Sequence, residues 1–204
     1  MVKGLSILVL MIGLCMNAWS QQQTGFMIEK LPTQWRTPGL LSASATYAPS
    51  VGLADGLNGY HLHGFAEYHI SRRISVKSDS YLFLNRPLVT FFDEDMFRSY
   101  FGAFYHLNNT QHGNWDVKFG LLPGVTYVKR TRWIIDEGQD SFTRVLAPSV
   151  SIAAGFDYYV WKYFHFFSQV SYVHSNVRGF PNGSQQLDEV IFSAGLGFQI
   201  PTRR

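Results

Sequence analysis

Hydrophobic and polar residues alternate along most of the chain after residue 20, in segments of about ten residues. The clearest segment has apolar or small residues at the even positions from Tyr60 to Ile70, and polar residues, three of them histidines, at most of the odd positions. A period of two places successive side chains on opposite faces of a β-strand. About eight segments show this pattern, the seventh blurred by Phe167 and Val173 on its polar face. The pattern predicts an all-β fold of about eight strands.

The connections between these segments differ in length. Ser71-Arg72-Arg73 and Trp161-Lys162-Tyr163 are tight, whereas residues 86–95, 131–145 and 179–187 form longer links. Short turns at one end and longer loops at the other are typical of outer-membrane barrels. We therefore predict an antiparallel up-and-down transmembrane β-barrel over residues 40–200.

Aromatic residues indicate which way the apolar face points, since a soluble barrel around a dry core would alternate in the same way. They form two groups on that face. One group lies beside the tight turns and the other near the opposite strand ends: Tyr68, Tyr105, Trp115, Tyr158 and Phe164 in the first, and Tyr60, Phe97, Tyr127 and Tyr172 in the second. On a tilted strand, Tyr60 and Tyr68 differ in height by about 20 Å, close to the apolar band of a membrane barrel. Because Tyr and Trp favour the headgroup level, the apolar face is predicted to contact lipid.

The N-terminus indicates export. Lys3 precedes an apolar run from Leu5 to Met16, and Ala18-Trp19-Ser20 fits a small-x-small cleavage site. This predicts a cleaved signal peptide over residues 1–20, followed by a short periplasmic segment over residues 21–39. The only cysteine, Cys15, falls in the signal peptide, so hydrogen bonds of a closed barrel must replace disulfides. The formal net charge of +3, without a Lys/Arg-rich block, argues against nucleic acid as a partner.

The last strand carries a motif. Ser193, Gly195, Phe198 and Ile200 fit the polar-x-Gly-x-x-aromatic-x-hydrophobic signal that the barrel assembly machinery reads in outer-membrane proteins. With this motif, residues 40–200 resemble small Gram-negative outer-membrane β-barrel families, including the PorT-type β-barrel domain. The resemblance implies an integral outer-membrane protein in contact with lipid and lipopolysaccharide. Residues 201–204 extend beyond the motif, which leaves the end of the last strand open.

The polar faces of the strands carry the residues with chemical potential. We predict that these side chains lie inside the barrel and form an ion-paired network that fills it, because eight strands leave just enough room for side chains. The set is His61, His63, Glu67, His69, Lys77, Asp79, Arg98, His106, Asp116, Lys118, Asp157, Gln169 and Glu189. A metal shared by His61, His63, His69 and Glu67 is the less favoured alternative, and no cofactor is expected.

One stretch resembles a catalytic site. His174-Ser175-Asn176, with Glu189 downstream, is similar to the catalytic stretch of outer-membrane lipid A deacylases, in which one residue separates His from Ser. Here they are adjacent, so in a regular strand they point to opposite faces and cannot exchange a proton. Only a β-bulge would bring them together. We therefore favour a polar strand end that enters a loop, and a protein that is not an enzyme.

Basic residues concentrate at the predicted extracellular end. They could meet lipopolysaccharide phosphates, or simply face water: Arg86, Lys129, Arg130, Arg132, Arg144 and Arg178. The leading hypothesis is a structural, adhesive or secretion- or motility-accessory barrel. The alternatives are a lipid A-modifying hydrolase using His174, Ser175 and Glu189, and a narrow small-solute pore.

Overall fold

The computed structural model describes residues 37–53, 58–85, 94–107, 114–133, 140–180 and 183–202, and within them nine strands. The strands are β1 (Leu40–Gly52), β2 (Asn58–His69), β3 (Ile74–Asn85), β4 (Glu94–His106), β5 (Trp115–Trp133), β6 (Asp140–Trp161), β7 (Phe164–Phe180), β8 (Gly183–Gln186) and β9 (Glu189–Pro201). In the described part of the chain, no helix has the length and apolar character needed to cross a membrane.

Eight of these strands close into a barrel. Each strand from β1 to β6 pairs antiparallel with the next strand of the chain. β7 then pairs with β9, and β9 pairs with β1, which closes the barrel. The closing seam pairs Leu40–Ala43 with Phe198–Pro201 and Ser50–Gly52 with Glu189–Ile191. Between these two stretches the hydroxyls of Ser44 and Thr46 donate to the carbonyls of Leu196 and Ala194, so side chains bridge the part of the seam where the backbone pairing is interrupted. The prediction of an antiparallel up-and-down barrel of about eight strands is confirmed, with β8 as a short addition that pairs only with β7.

The barrel has two ends. We call the end that holds the residue 70–73 and 162–163 turns, together with Leu40 and Pro201, the turn end. The opposite end, where β3 stops at Asn85 and β5 at Trp133, is the loop end. Strands continue further toward the loop end than predicted, because most of residues 131–145 and 179–187, which the sequence assigned to loops, lie in β5 to β8.

Apolar side chains cover the outside of the barrel and polar ones fill its centre. Along β2, the odd-numbered residues from His61 to His69 are buried, whereas Leu62 and Ala66 are exposed. The predicted aromatic residues are on the outside, with Phe97 next to Tyr127 across the β4–β5 pair. A soluble barrel would have the opposite arrangement, so the outer surface is one that suits hydrocarbon.

Two prolines explain breaks in the ladder. Pro123 lies in the interior of β5, and the β4–β5 pairing skips the two positions between Gly124 and Leu121. Proline has no N–H to donate there. Gly102 fits this close approach, because an added Cβ would lie 2.2 Å from the backbone oxygen of Leu121. Similarly, the β6–β7 pairing ends at Ser149↔Ser175, beside Pro148.

The barrel interior contains two apolar clusters. The first lies at mid-height and comprises Ala48, Tyr81, Tyr100, Phe104, Leu122, Ala153, Val173 and Ile191. The second, which we call the apolar cap, closes the interior toward the loop end and comprises Met96, Val128, Ala147 and Val177, with Phe83, Val145 and Leu187 packed against it. Between the cap and the turn end lie the buried charges.

The end of the last strand, which the sequence did not determine, lies next to the start of β1. β9 ends at Pro201, and the next residue, Thr202, donates from both its backbone N and its hydroxyl to the carbonyl of Gly39, at 2.8 and 2.7 Å. Gly39 has a φ of 91°, which glycine adopts at little cost. Residues 1–36 lie outside the described residues, so the predicted signal peptide and most of the predicted periplasmic segment stay predictions.

Candidate functional site: the polar lumen

The predicted lumen residues are buried inside the barrel. All thirteen are at most 2% exposed, including Arg98 and Lys118, whose long side chains almost never become buried without partners. Seven of the eight barrel strands, β2 to β7 and β9, contribute to this set because the polar half of their alternation points inward. The prediction of an ion-paired network that fills the interior is confirmed by the contacts described below.

The network begins on the loop-end side with Glu189 of β9. Its carboxylate accepts from Arg98 Nη1 at 2.5 Å and contacts His61 Nε2 at 3.1 Å, and Ser50 donates a further hydrogen bond to it. One carboxylate and one guanidinium therefore neutralise each other here, with an imidazole and a hydroxyl completing the hydrogen bonding. We call this group the Glu189 cluster.

A second neutral pair lies at mid-height. Lys77 Nζ is 3.2 Å from Asp79 Oδ1, and the same oxygen is 3.0 Å from His63 Nε2. Gln169 donates to the other oxygen of Asp79 at 3.0 Å and accepts from Lys77. The ammonium of Lys77 also lies 4.1 Å from the centre of the Phe65 ring, a favourable cation–π position.

The turn-end side has a different composition. Lys118 Nζ donates at 2.6 Å to Glu67 Oε2 and lies 2.6 Å from Asp157 Oδ2. His106 lies between two carboxylates, with Nε2 3.4 Å from Glu67 Oε1 and Nδ1 hydrogen bonded to Asp116. We call Glu67, His69, His106, Asp116, Lys118 and Asp157 the turn-end cluster.

The charges are paired one to one in the first two groups and shared in the third. The Glu189 cluster pairs one carboxylate with one arginine, and the mid-height group pairs one carboxylate with one lysine. In the turn-end cluster, Lys118 contacts both Glu67 and Asp157, and His106 lies between Glu67 and Asp116. Because charged groups in a site that water barely reaches depend on their partners, this sharing distinguishes the turn-end cluster from the other two groups.

The histidines predicted as an alternative metal site do not come together. His61 binds Glu189 and His63 binds Asp79, so they belong to different groups. Only His69 stays near Glu67, with Nε2 3.9 Å from Glu67 Oε1. The neighbour that the sequence did not associate with them is His106 of β4, whose ring centre is 4.8 Å from that of His69. Its inward position was predictable from the alternation, but its height in the barrel depends on strand register.

The deacylase-like residues are also separated. His174 and Ser175 are adjacent on β7, opposite Val150 and Ser149 in a register without a bulge at this point. Ser175 is fully buried and lies 2.8 Å from the hydroxyl of Thr126. His174 is 40% exposed on the outside, where Nδ1 lies 2.7 Å from Asp188 Oδ1.

Glu189 points inward and binds Arg98, so the described structure does not bring the three predicted residues together. His174-Ser175-Asn176 is not the strand end that the sequence suggested either, because β7 continues to Phe180. This continuation is stabilised by β8, which pairs with Asn176 and Val177. His174 and Asn176 instead line an open groove on the outer surface of about 680 Å³, together with Leu146, Pro148 and Val150.

The predicted loop-end basic residues are only partly described. Lys129 of β5 and Arg144 of β6 are direct cross-strand partners, and Asp95 of β4 is opposite Lys129 on its other side. Arg130 is opposite Thr143 and Arg132 is opposite Ser141. The β5–β6 hairpin therefore carries four of the six predicted basic residues. Arg86 lies outside the described residues.

No family model matches the chain, and neither does the sequence of any curated protein. Solved structures do match. Neisserial surface protein A has a TM-score of 0.56 and 13% identity, with 79% of this chain and 96% of that one covered. OprG of Pseudomonas aeruginosa has a TM-score of 0.58 and 13% identity, with 82% of this chain and 98% of that one covered. Ail, the attachment invasion locus protein of Yersinia pestis, has a TM-score of 0.52 and 17% identity, with 80% of this chain and 100% of that one covered. This chain therefore has the fold of small eight-stranded outer-membrane β-barrels.

Proposed function

We propose that this protein is an integral outer-membrane barrel without catalytic activity, which acts through its loop end in a structural or adhesive role. The observation that supports it most is the filled interior. Charged groups that a channel would leave facing water are buried and paired, as with Arg98 and Glu189. An interior of this kind favours a scaffold whose surface does the work over a solute path.

The first test is conductance. The purified barrel, reconstituted in planar bilayers, is expected to give no stable channel steps. As a positive control, replacing the apolar cap residues Met96 and Val128 with glycine removes side chains that close the loop end of the interior. Regular ion conductance by the unaltered protein would overturn the proposal in favour of the small-solute pore.

The loop end offers a surface for contact. β5 and β6 stay paired as far as Trp133↔Asp140, whereas β6 separates from β7 above Ser149. Residues 140–148 thus continue for about 30 Å of strand beyond the last contact with β7. The two basic residues Lys129 and Arg144 are directly opposite each other and so lie on the same face of this hairpin, where they could contact one anionic group together.

The proposed partner is a phosphorylated or sulfated saccharide, with lipopolysaccharide as the nearest example at that height. A structure of Ail, 18% identical to this chain, is in complex with the heparin analogue sucrose octasulfate. On the hairpin of this chain, Lys129 and Arg144 are the basic residues whose side chains the structure describes. Because the attraction is electrostatic, binding should weaken as salt rises.

A binding assay with matched variants tests this contact. The folded barrel in detergent would be titrated with purified lipopolysaccharide and, separately, with a heparin fragment. The double variant Lys129→Ala/Arg144→Ala is expected to lose about tenfold in affinity, since two charge-assisted contacts are removed. Lys162→Ala, which removes an exposed lysine at the turn end, is the control and should bind normally. Equal binding by all three proteins would refute the hairpin as the contact surface.

The absence of catalysis is tested on the lipid itself. Mass spectrometry of lipid A from a deletion strain and its complemented parent should show identical acylation. Loss of acyl-chain removal in the deletion strain would instead support the hydrolase alternative with His174, Ser175 and Glu189. The PorT-type resemblance also leaves an accessory role in secretion or motility, which predicts a secretion or motility defect in the same strain. Export by a signal peptide and insertion by the barrel assembly machinery belong to the proposal as well.

A further inference from the structure

The turn-end cluster brings three metal-ligating side chains to one point. Glu67 and His69 come from β2 and His106 from β4, and all three are at most 1% exposed. Glu67 Oε1 is 3.4 Å from His106 Nε2 and 3.9 Å from His69 Nε2, and one ligand atom from each residue lies within 4.8 Å of the others. In tetrahedral zinc sites, nitrogen and oxygen ligands about 2.0–2.1 Å from the metal are separated by about 3.3 Å. Small movements of His69 would therefore complete such a geometry.

Asp116 adds an outer contact that metal sites commonly contain. It is fully buried and hydrogen bonds to Nδ1 of His106. This contact fixes the orientation of the ring and directs Nε2 toward Glu67. A carboxylate behind a ligating histidine fixes its tautomer and increases its basicity in many zinc proteins.

The imidazole of His69 is an independent sign of a ligand. It is 1% exposed, its Nδ1 has no hydrogen-bond partner, and its Nε2 is 3.9 Å from Glu67 Oε1, beyond hydrogen-bond range. A buried imidazole nitrogen without a hydrogen-bond partner is unfavourable by itself. Coordination of a cation between His69 and Glu67 would give this ring a ligand contact on the side of the cluster.

The oxygen of Glu67 on the histidine side points to the same conclusion. Lys118 contacts Glu67 Oε2 and Asp157 Oδ2, so Glu67 Oε1 is the oxygen that faces the histidines. The hydroxyl of Ser75 donates to that oxygen at 2.6 Å and lies 2.8 Å from His106 Nε2, in the space between the two ligands. A divalent cation would take over the contacts that Ser75 now makes with these two ligands.

From these four observations we propose that Glu67, His69 and His106 bind one divalent transition-metal ion of the zinc type, with Asp116 as the orienting group. The ion links β2 to β4 inside the turn end. Its role is to stabilise the folded barrel, and it does not depend on the surface function proposed above. Because the ligands are almost inaccessible, the ion enters while the barrel folds.

The experiment uses the untagged mature chain, refolded in detergent with zinc present and then dialysed to equilibrium. Metal content is measured by mass spectrometry, and folding by heat-modifiable gel migration and circular dichroism. One zinc per folded barrel is expected. His69→Gln should lower the zinc affinity at least tenfold while the barrel still folds, because the His69 ring makes no short hydrogen bond in the structure. His63→Gln is the matched control, since it removes a buried histidine that binds Asp79 instead.

Cobalt(II) provides a second readout that a purely structural role would not change. Visible absorption bands of tetrahedral cobalt are expected with the unaltered protein and with His63→Gln, and their loss is expected with His69→Gln. Asp116→Asn should keep the bands but weaken binding by about tenfold or more, as an outer-shell contact does. Absence of zinc in the folded barrel, or full zinc binding by His69→Gln, would overturn the proposal.

Discussion

The two halves of the lumen are buried to the same degree but are stabilised differently. On the loop-end side, Glu189 and Arg98 neutralise each other, and the apolar cap covers them. On the turn-end side, Lys118 contacts two carboxylates and His106 lies between two, so the positive partners are shared. The comparison shows that burial alone does not identify a functional site. Whether buried charges are paired one to one or share their partners is what distinguishes the two halves.

The physical reason lies in the cost of desolvation. A buried ion pair approximately recovers the cost of removing its charges from water, but an unpaired charge does not. The loop-end half is therefore complete with its own side chains. In the turn-end half the carboxylates share their positive partners and two histidines lie among them, so this is the half in which we expect an added metal ion to change the stability.

The largest effect is expected from removing the only lysine of the turn-end cluster. Lys118→Met leaves Glu67 and Asp157 without the lysine that they share, and we expect the free energy of unfolding to fall by about 5 kcal/mol. Urea unfolding of the barrel in phospholipid vesicles measures it. Lys162→Met, an exposed lysine at the same end, should change stability by no more than about 0.5 kcal/mol. Zinc added during refolding should restore part of the lost stability. A Lys118→Met barrel as stable as the parent would contradict the role of Lys118 as the lysine that the turn-end carboxylates share.

An intermediate effect is expected on the loop-end side. Glu189→Gln keeps the size of the side chain but leaves Arg98 buried without a counter-charge, so the free energy of unfolding should fall by about 3 kcal/mol. Zinc should not restore it, and this separates the two halves. Asp188→Asn is the control, because the neighbouring Asp188 pairs with the partly exposed His174 and contributes about 0–1 kcal/mol. Equal losses in the two variants would mean that burial of the Glu189 pair has no energetic consequence.

The smallest of the three effects concerns the apolar cap. Met96→Ala removes a side chain that is 4% exposed and packs with Val128, Ala147 and Val177, so a loss of about 2 kcal/mol is expected. Leu53→Ala, at the same end but 55% exposed, should cost less. The same urea titration compares them. If the two variants lost the same stability, the cap would not be a packed cluster.

Much of this architecture could be predicted because a strand in a membrane barrel has two chemically different faces. The inward position of His61 and Glu67 follows from the period of two, and so does the inward position of the less regular Phe167. The connections were predicted less well. Residues 131–145 have little alternation, yet 131–133 lie in β5 and 140–145 in β6, because pairing between the two strands holds them regardless of side-chain pattern.

The metal-ligating group illustrates the same limit. Glu67 and His69 are two residues apart on β2, so their shared face was visible in the sequence. His106, however, is brought close to them by the β2–β3 and β3–β4 registers, which place His69 opposite Ser75 and Ser75 opposite Phe104, two residues before His106 on the same face of β4. Register depends on how eight strands close together, and no single strand contains that information.

The sequence by itself thus determined the strands, the face of each strand that meets lipid, and the set of side chains that enter the lumen. Alternation is a local property, and any strand that buries one face must show it. Only the tertiary structure decided which charges neutralise each other, that His174 and Ser175 stay apart, and that the carboxylates of one cluster share their positive partners. Those outcomes depend on the relative heights of residues from different strands, which closure of the barrel fixes.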